Sequence, residues 1–157
     1  MFEGKLVSIC LASEGSLEMR VVDQAEAQAG KGLVEDRYAN GRGSFQRGDV
    51  EADQQITLIE QEAIQGACAE YDLQFTHPDT RRNLLTEGIP LNHLVGRTFR
   101  VGTATLRGVR LCEPCQHLEK LTCQGIARAL IHRGGLRAEV VSGGTLIAGD
   151  RIGPAES

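Results

Sequence analysis

TFRVGTATLRGVRL, residues 98–111, decides how this chain folds. Phe99 and Val101 alternate with polar neighbours, the period of a strand with one buried face. Gly102 permits a reversal. Ala104 and Leu106 then alternate in the opposite phase, and Val109 and Leu111 alternate once more. Gly108 stands between these pairs, where a bulge restores the phase. The stretch predicts an antiparallel hairpin.

The neighbouring sequence repeats the theme. In LRAEVVSGGTLIAGDRI, residues 136–152, Leu136, Ala138 and Val140 alternate. Gly143-Gly144 then fits a two-residue hairpin turn into a second strand. Val7, Ile9 and Leu11 mark a strand over residues 5–11, and residues 19–27 read as a weaker one. QQITLIEQEAIQGACAEY, residues 54–71, reads as a short strand running into a helix. Thr57 and Glu60 have the spacing of a capping box, and Ile59, Ala63, Ile64, Ala67, Cys68 and Tyr71 form a helical stripe that makes Cys68 a small core residue. Nineteen glycines against six aromatics and no tryptophan favour a turn-rich β architecture over a helix bundle. The expectation is a mainly β (α+β) protein, residues 1–157 forming one domain. A closed or nearly closed barrel with a few short helices leaves no sheet edge exposed.

Composition narrows the function. The formal charge of −4 supplies no general attraction to nucleic acid or to an anionic membrane. No apolar run approaches the roughly 18 residues of a membrane span. The start, MFEGKLVSICLAS, places Glu3 ahead of its apolar run and alternates like a strand, unlike an export signal. Five cysteines, an odd number, then argue for reduced thiols and a cytoplasmic setting.

RLCEPCQHLEKLTC, residues 110–123, carries Cys112, Cys115, His117 and Cys123. Three readings stay open on spacing alone. A zinc or iron–sulfur knot has four candidate ligands here but lacks a second separated pair. A dithiol redox pair requires a thioredoxin-like setting, and Glu113 between the thiols works against a thiolate. A single activated thiol would be Cys115, which follows Pro114. A helix beginning near Gln116 would offer it N–H groups, and a charged His117 would favour its thiolate. Such a thiolate can ligate a soft metal, carry a persulfide or attack an electrophile.

The ordered set GLVEDRYA, QQITLIEQEAI, RRNLLTEGIPLNHLVGRTFRVG and the PC of RLCEPC resembles the MOSC domain family, named for the C-terminal domain of molybdenum-cofactor sulfurases. The resemblance implies a β-rich barrel with a few helices. It places the hallmark cysteine on Cys115, as carrier of persulfide sulfur or as a molybdenum ligand. It places the Arg/Asn element on Arg81, Arg82 and Asn83, which would hold the molybdenum cofactor (molybdopterin) or another small anionic ligand. An arginine fork suits phosphate, and asparagine suits a heterocycle edge. Two departures stand out. Glu35–Tyr38 reads EDRY where many small members read GDRH, and Cys112 is an additional thiol, read here as a packed strand end.

Further expectations follow from these. The glycine-rich loop over residues 30–50 carries Arg37, Arg42 and Arg47, and Arg37 would add an anion contact beside Arg81 and Arg82. His77 and His93 read as surface residues, and His132 as a helix C-terminal cap. The full sulfurases carry a pyridoxal-phosphate desulfurase domain, for which this chain is too short, so pyridoxal phosphate attaches only at family level. A separate cysteine desulfurase would then supply sulfur. The alternative functions are a molybdenum-dependent reductase of N-hydroxylated substrates, which needs an electron-transfer partner, and a non-catalytic zinc or small-ligand module.

Overall fold

The computed structural model describes residues 2–13, 15, 18–37, 39 and 50–155. Tyr38, Arg42 and Arg47 therefore lie outside the described residues. Eleven strands are described: β1 (Gly4–Leu11), β2 (Arg20–Val22), β3 (Gln24–Gln28), β4 (Gly32–Leu33), β5 (Ile56–Glu60), β6 (Leu84–Glu87), β7 (Thr98–Val101), β8 (Ala104–Leu111), β9 (Leu136–Ser142), β10 (Gly144–Ile147) and β11 (Arg151–Pro154). The helices are short: α1 (Gln61–Tyr71), α2 (His77–Thr80), α3 (Gln116–Leu121) and α4 (Ile126–Ala129). None of them is long and apolar enough to cross a membrane.

The larger sheet runs β11-β7-β8-β9-β5-β6-β1-β2, and β11 also pairs with β1. That pairing closes seven strands into a barrel and leaves β2 as a flap on the end of β1. The closure is antiparallel except between β5 and β6, which α1 and α2 join as a crossover. Inside the barrel, alternate residues pack into one cluster that includes Leu6, Ile9, Leu58, Leu84, Phe99, Leu106 and Leu136. The lumen is thus a filled core. A second cluster outside the wall seats the helices, with Ile59 and Leu85 from the strands against Ala63, Ile64, Ala67, Leu118 and Ile126.

The hairpin over residues 98–111 forms as β7 and β8, with Phe99 opposite Leu106 and Val101 opposite Ala104. Gly108 sits where the β8–β9 register shifts. A Cβ there would stand 2.1 Å from the Leu94 carbonyl oxygen, so glycine also admits the neighbouring chain.

Four expectations require correction. β9 and β10 do not form a hairpin. β10 pairs with β3 in a separate three-stranded sheet, β10-β3-β4. A two-residue hairpin turn needs positive φ, and neither Gly143 nor Gly144 has it. These glycines instead admit backbone: a Cβ would stand 2.7 Å from the Ala27 carbonyl oxygen at Gly143 and 2.7 Å from the Thr103 carbonyl oxygen at Gly144. The strand expected over residues 19–27 divides at Asp23 between the two sheets. Thr57 does not cap α1, whose N-cap is Glu60; Thr57 lies within β5 and bonds sideways to Asn83. His77 is buried rather than at the surface, whereas His93 is exposed.

Candidate functional site

A pocket opens on the outer face of the barrel, where α2, the end of β8 and the start of α3 meet over β5 and β9. It encloses about 520 Å³, its mouth included. Thr57 and Arg137 form part of its lining and are direct cross-strand partners. Both point outward because Ile56 and Leu58, and Leu136 and Ala138, take the inward positions.

Arg81 and Arg82 enter from the end of α2. Thr76 and Asp79 form a reciprocal capping box at its start, and Arg81 closes it in the left-handed region at φ 60°. Arg82 is buried and its guanidinium is held by three carbonyls: Nε donates to Gly134 (2.8 Å), Nη1 to Thr80 (3.1 Å) and Nη2 to Cys112 (3.2 Å). It therefore brings positive charge to the pocket wall while pinning the segment that leads to Cys115. Gly134 is small of necessity, since a Cβ there would stand 2.4 Å from the Cys112 carbonyl oxygen.

Arg37 arrives from the chain after β4, also buried. Its Nη2 donates to the Arg81 carbonyl (3.0 Å) and its Nη1 to Asp36 Oδ1 (3.2 Å). Asp36 is fully buried and accepts from the Ala12 N–H as well (3.1 Å).

Cys115 is exposed and occupies the N-cap of α3 in an extended conformation, so the helix begins at Gln116 and the condition set for a single activated thiol is met in position. Cys112 is buried at the strand end. His117 and Leu118 complete this wall, and Glu113 is the one carboxylate among the lining residues, against four arginines. Glu113 accepts from the His132 N–H (3.2 Å). His132 does not cap α4, whose C-cap is Leu130.

The structure thus brings Cys115, Arg37, Arg81 and Arg82 to one pocket. Asn83 is not among the lining residues. It is buried, its Oδ1 accepting from the Thr57 N–H (3.0 Å) and hydroxyl (3.1 Å), and its Nδ2 donating to the Cys10 carbonyl (3.1 Å). It joins β5, β6 and β1 beneath the site. Behind Arg82, His77 Nε2 donates to the Arg82 carbonyl (2.9 Å), which fixes the tautomer and leaves Nδ1 to face Cys10 Sγ at 3.5 Å. Burial lowers His77 to about 4 and raises the Cys10 thiol to about 12. Cys123 is raised too, by burial first and then by Asp79, Cys68 and Glu119.

The sequence reading missed Arg137. Its Nη1 donates to the Asp53 carbonyl (3.1 Å), and the Asp53 carboxylate takes Arg110 Nε (2.8 Å). Arg110 stands directly opposite Arg137, so Asp53 relieves a like-charge pair. Arg137 Nε is buried and has no hydrogen-bond partner among the described residues. Leaving such a donor unmet costs about 1–3 kcal/mol. The alternation of Leu136, Ala138 and Val140 places Arg137 on the outer face, but which part of that face carries the pocket is a tertiary matter.

Two readings of the cysteine cluster lose their support. Among the described residues no three His, Cys, Asp or Glu side chains gather as a metal-binding group, so the four-ligand knot does not form. β8 is antiparallel to both its neighbours, which is not a thioredoxin-like βαβ setting.

Comparison with curated proteins gives no match. Among solved structures, the YuaD protein of Bacillus subtilis superposes with a TM-score of 0.80 at 18% identity, over 97% of each chain. YiiM from Geobacillus stearothermophilus gives 0.73 at 17% identity, over 98% of this chain and 75% of that one. YiiM from Escherichia coli gives 0.69 at 19%, over 98% and 70%. These likenesses establish the shared fold. The MOSC domain family model matches residues 24–153, which hold the barrel's β5–β9, its closing strand β11 for the most part and every pocket residue named above, and the chain therefore belongs to the MOSC domain family.

Proposed function

We propose that this protein binds a small anionic ligand, of which the molybdenum cofactor is the leading candidate, and that Cys115 is its reactive residue, as a sulfur carrier or as a metal ligand. The observation that carries this reading is the convergence of the exposed Cys115 with Arg37, Arg81 and Arg82 on one pocket. The residues fit such a group. Guanidinium forks suit its phosphate, the thiol is a soft ligand, and the buried Nε of Arg137, without a partner among the described residues, is a donor suited to an oxyanion. A bound pterin would supply molybdenum for oxygen or sulfur transfer. The protein's own part is to neutralise the ligand's charge, hold it against the β5–β9 wall and present a thiol. Asn83 acts from beneath, by setting Thr57 in place.

As a carrier, the Cys115 thiolate attacks the outer sulfur of a donor persulfide. A Cys115 persulfide forms, and the donor leaves as a thiolate. A cysteine desulfurase suits the role of donor.

The test is the intact mass of the protein, purified without reductant from cells that make the cofactor, with molybdenum and zinc determined on the same sample. A sulfur adduct lost in Cys115→Ser, or bound pterin with molybdenum, is the expected result. Full loading of Cys115→Ser together with loss in Cys112→Ser would reassign the reactive thiol. Stoichiometric zinc without either would replace this reading with a zinc-binding module.

A further inference from the structure

We infer that the arginine pocket takes a small dianionic sulfane-sulfur donor of the thiosulfate class, its sulfonate oxygens seated on Arg137 and its outer sulfur delivered to Cys115. This rests on Cys115 as the sulfur acceptor and names the donor chemistry that the pocket selects.

Three observations point to it. First, the lining carries Arg37, Arg81, Arg82 and Arg137 against Glu113, and even with Arg37 paired to the buried Asp36 it keeps an excess of positive charge on a protein of net charge −4. That local field favours a dianion, whereas an uncharged organic persulfide gains little from it. Second, Arg137 is oriented and incompletely bonded. Asp53 holds its Nη1, and Nε has no partner among the described residues. Nε belongs to the Nε–Nη2 edge, the side of a guanidinium that grips two oxygens of an oxyanion at once. Third, the one exposed cysteine among the five borders the same pocket. Oxyanion seat and nucleophile thus share one small space.

The step balances without an external oxidant or reductant. The Cys115 thiolate attacks the outer sulfur of thiosulfate and a new S–S bond forms. The original S–S bond breaks with its electron pair going to sulfite, and Cys115 keeps the sulfur as a persulfide anion. Negative charge grows on the departing sulfonate oxygens, where the arginine fork stabilises it. A thiol acceptor or cyanide then takes the outer sulfur and returns the Cys115 thiolate.

The experiment uses the reduced full chain with sodium thiosulfate, read by intact mass, by sulfite release and by thiocyanate formation after cyanide. Glutathione persulfide serves as a parallel donor. The expected result is one sulfur atom on Cys115 and an equal amount of sulfite, both absent in Cys115→Ser. Arg137→Gln should raise the KM for thiosulfate about tenfold, the loss of a charge-assisted hydrogen bond. Inorganic sulfate should compete with thiosulfate. If glutathione persulfide loads Cys115 and thiosulfate does not, the donor inference falls and the carrier reading stands. If neither loads it, both fall. If Arg137→Gln does not fold, Arg137→Lys and sulfate competition on the parent decide the seat, and an unaltered KM with no competition removes Arg137 from it.

Discussion

Five cysteines stand in this chain, and burial rather than spacing separates them. Cys10 and Cys112 are closed off at 0% and 1% exposure, Cys68 and Cys123 are half-buried, and Cys115 is open. Thiol reactivity requires both thiolate and access. A thiol reagent at mildly alkaline pH should therefore label Cys115 first, with Cys10 and Cys112 reacting only on unfolding. Mass mapping of the label over time checks this, and fast labelling that survives Cys115→Ser would overturn it. Pro114 and the position ahead of a helix mark Cys115 in the sequence. The inertness of Cys112, three residues away, comes from the packing at the strand end, which no spacing displays. The same holds for the paired arginines. Arg81 and Arg82 are adjacent in sequence, yet Arg82 is clamped by three carbonyls, two of them, Gly134 and Cys112, from distant segments.

At the level of elements, glycines set how closely strands approach. Gly135 has φ +113°, and a Cβ there would stand 2.0 Å from the Leu58 carbonyl oxygen, just ahead of the point where β9 begins to pair with β5. Gly96 has φ +77° with nothing within 4 Å. Both substitutions to alanine incur backbone strain, but only the first adds a collision with backbone. Gly96→Ala should cost about 1–2 kcal/mol and Gly135→Ala about 3 kcal/mol or more. Denaturant midpoints of the two variants decide it, and equal losses would show that close approach is not what Gly135 supplies. Strand existence was legible from alternation at β1, β7, β8 and β9. The partner of β10 was not, because Gly143-Gly144 carries a turn signal that here serves close packing of chains.

Across the whole molecule, a buried hydrogen-bonded line from Cys10 through His77 to the Arg82 carbonyl ties β1 to the end of α2. His77 falls from 6.5 to about 4 in the folded protein, because burial disfavours its charge. Above pH 6.5 both folded and unfolded forms are neutral there and nothing is lost. Between 6.5 and about 4 only the unfolded chain takes up the proton, so stability declines as pH falls through that window, by about 3 kcal/mol in all. Glu60 works in the opposite direction, since burial and Glu62 raise its carboxyl and favour the folded state at lower pH. Unfolding free energies of the parent and of His77→Gln, measured at pH 7.5 and at pH 5, should differ in slope, with the variant losing the His77 share of the decline. Parallel slopes would remove His77 as its source.

Taken by itself, the amino-acid sequence determined the strand-rich class, the hairpin over residues 98–111 and the strands β1 and β9, because alternation is a local property written within a few positions. Only the tertiary structure decided that the barrel closes through β1 and β11, that β10 leaves for a second sheet, that His77 and Asn83 lie inside and that Arg137 joins Arg37, Arg81 and Arg82. Those outcomes depend on which distant segments share one buried face, and burial is settled between segments rather than along them.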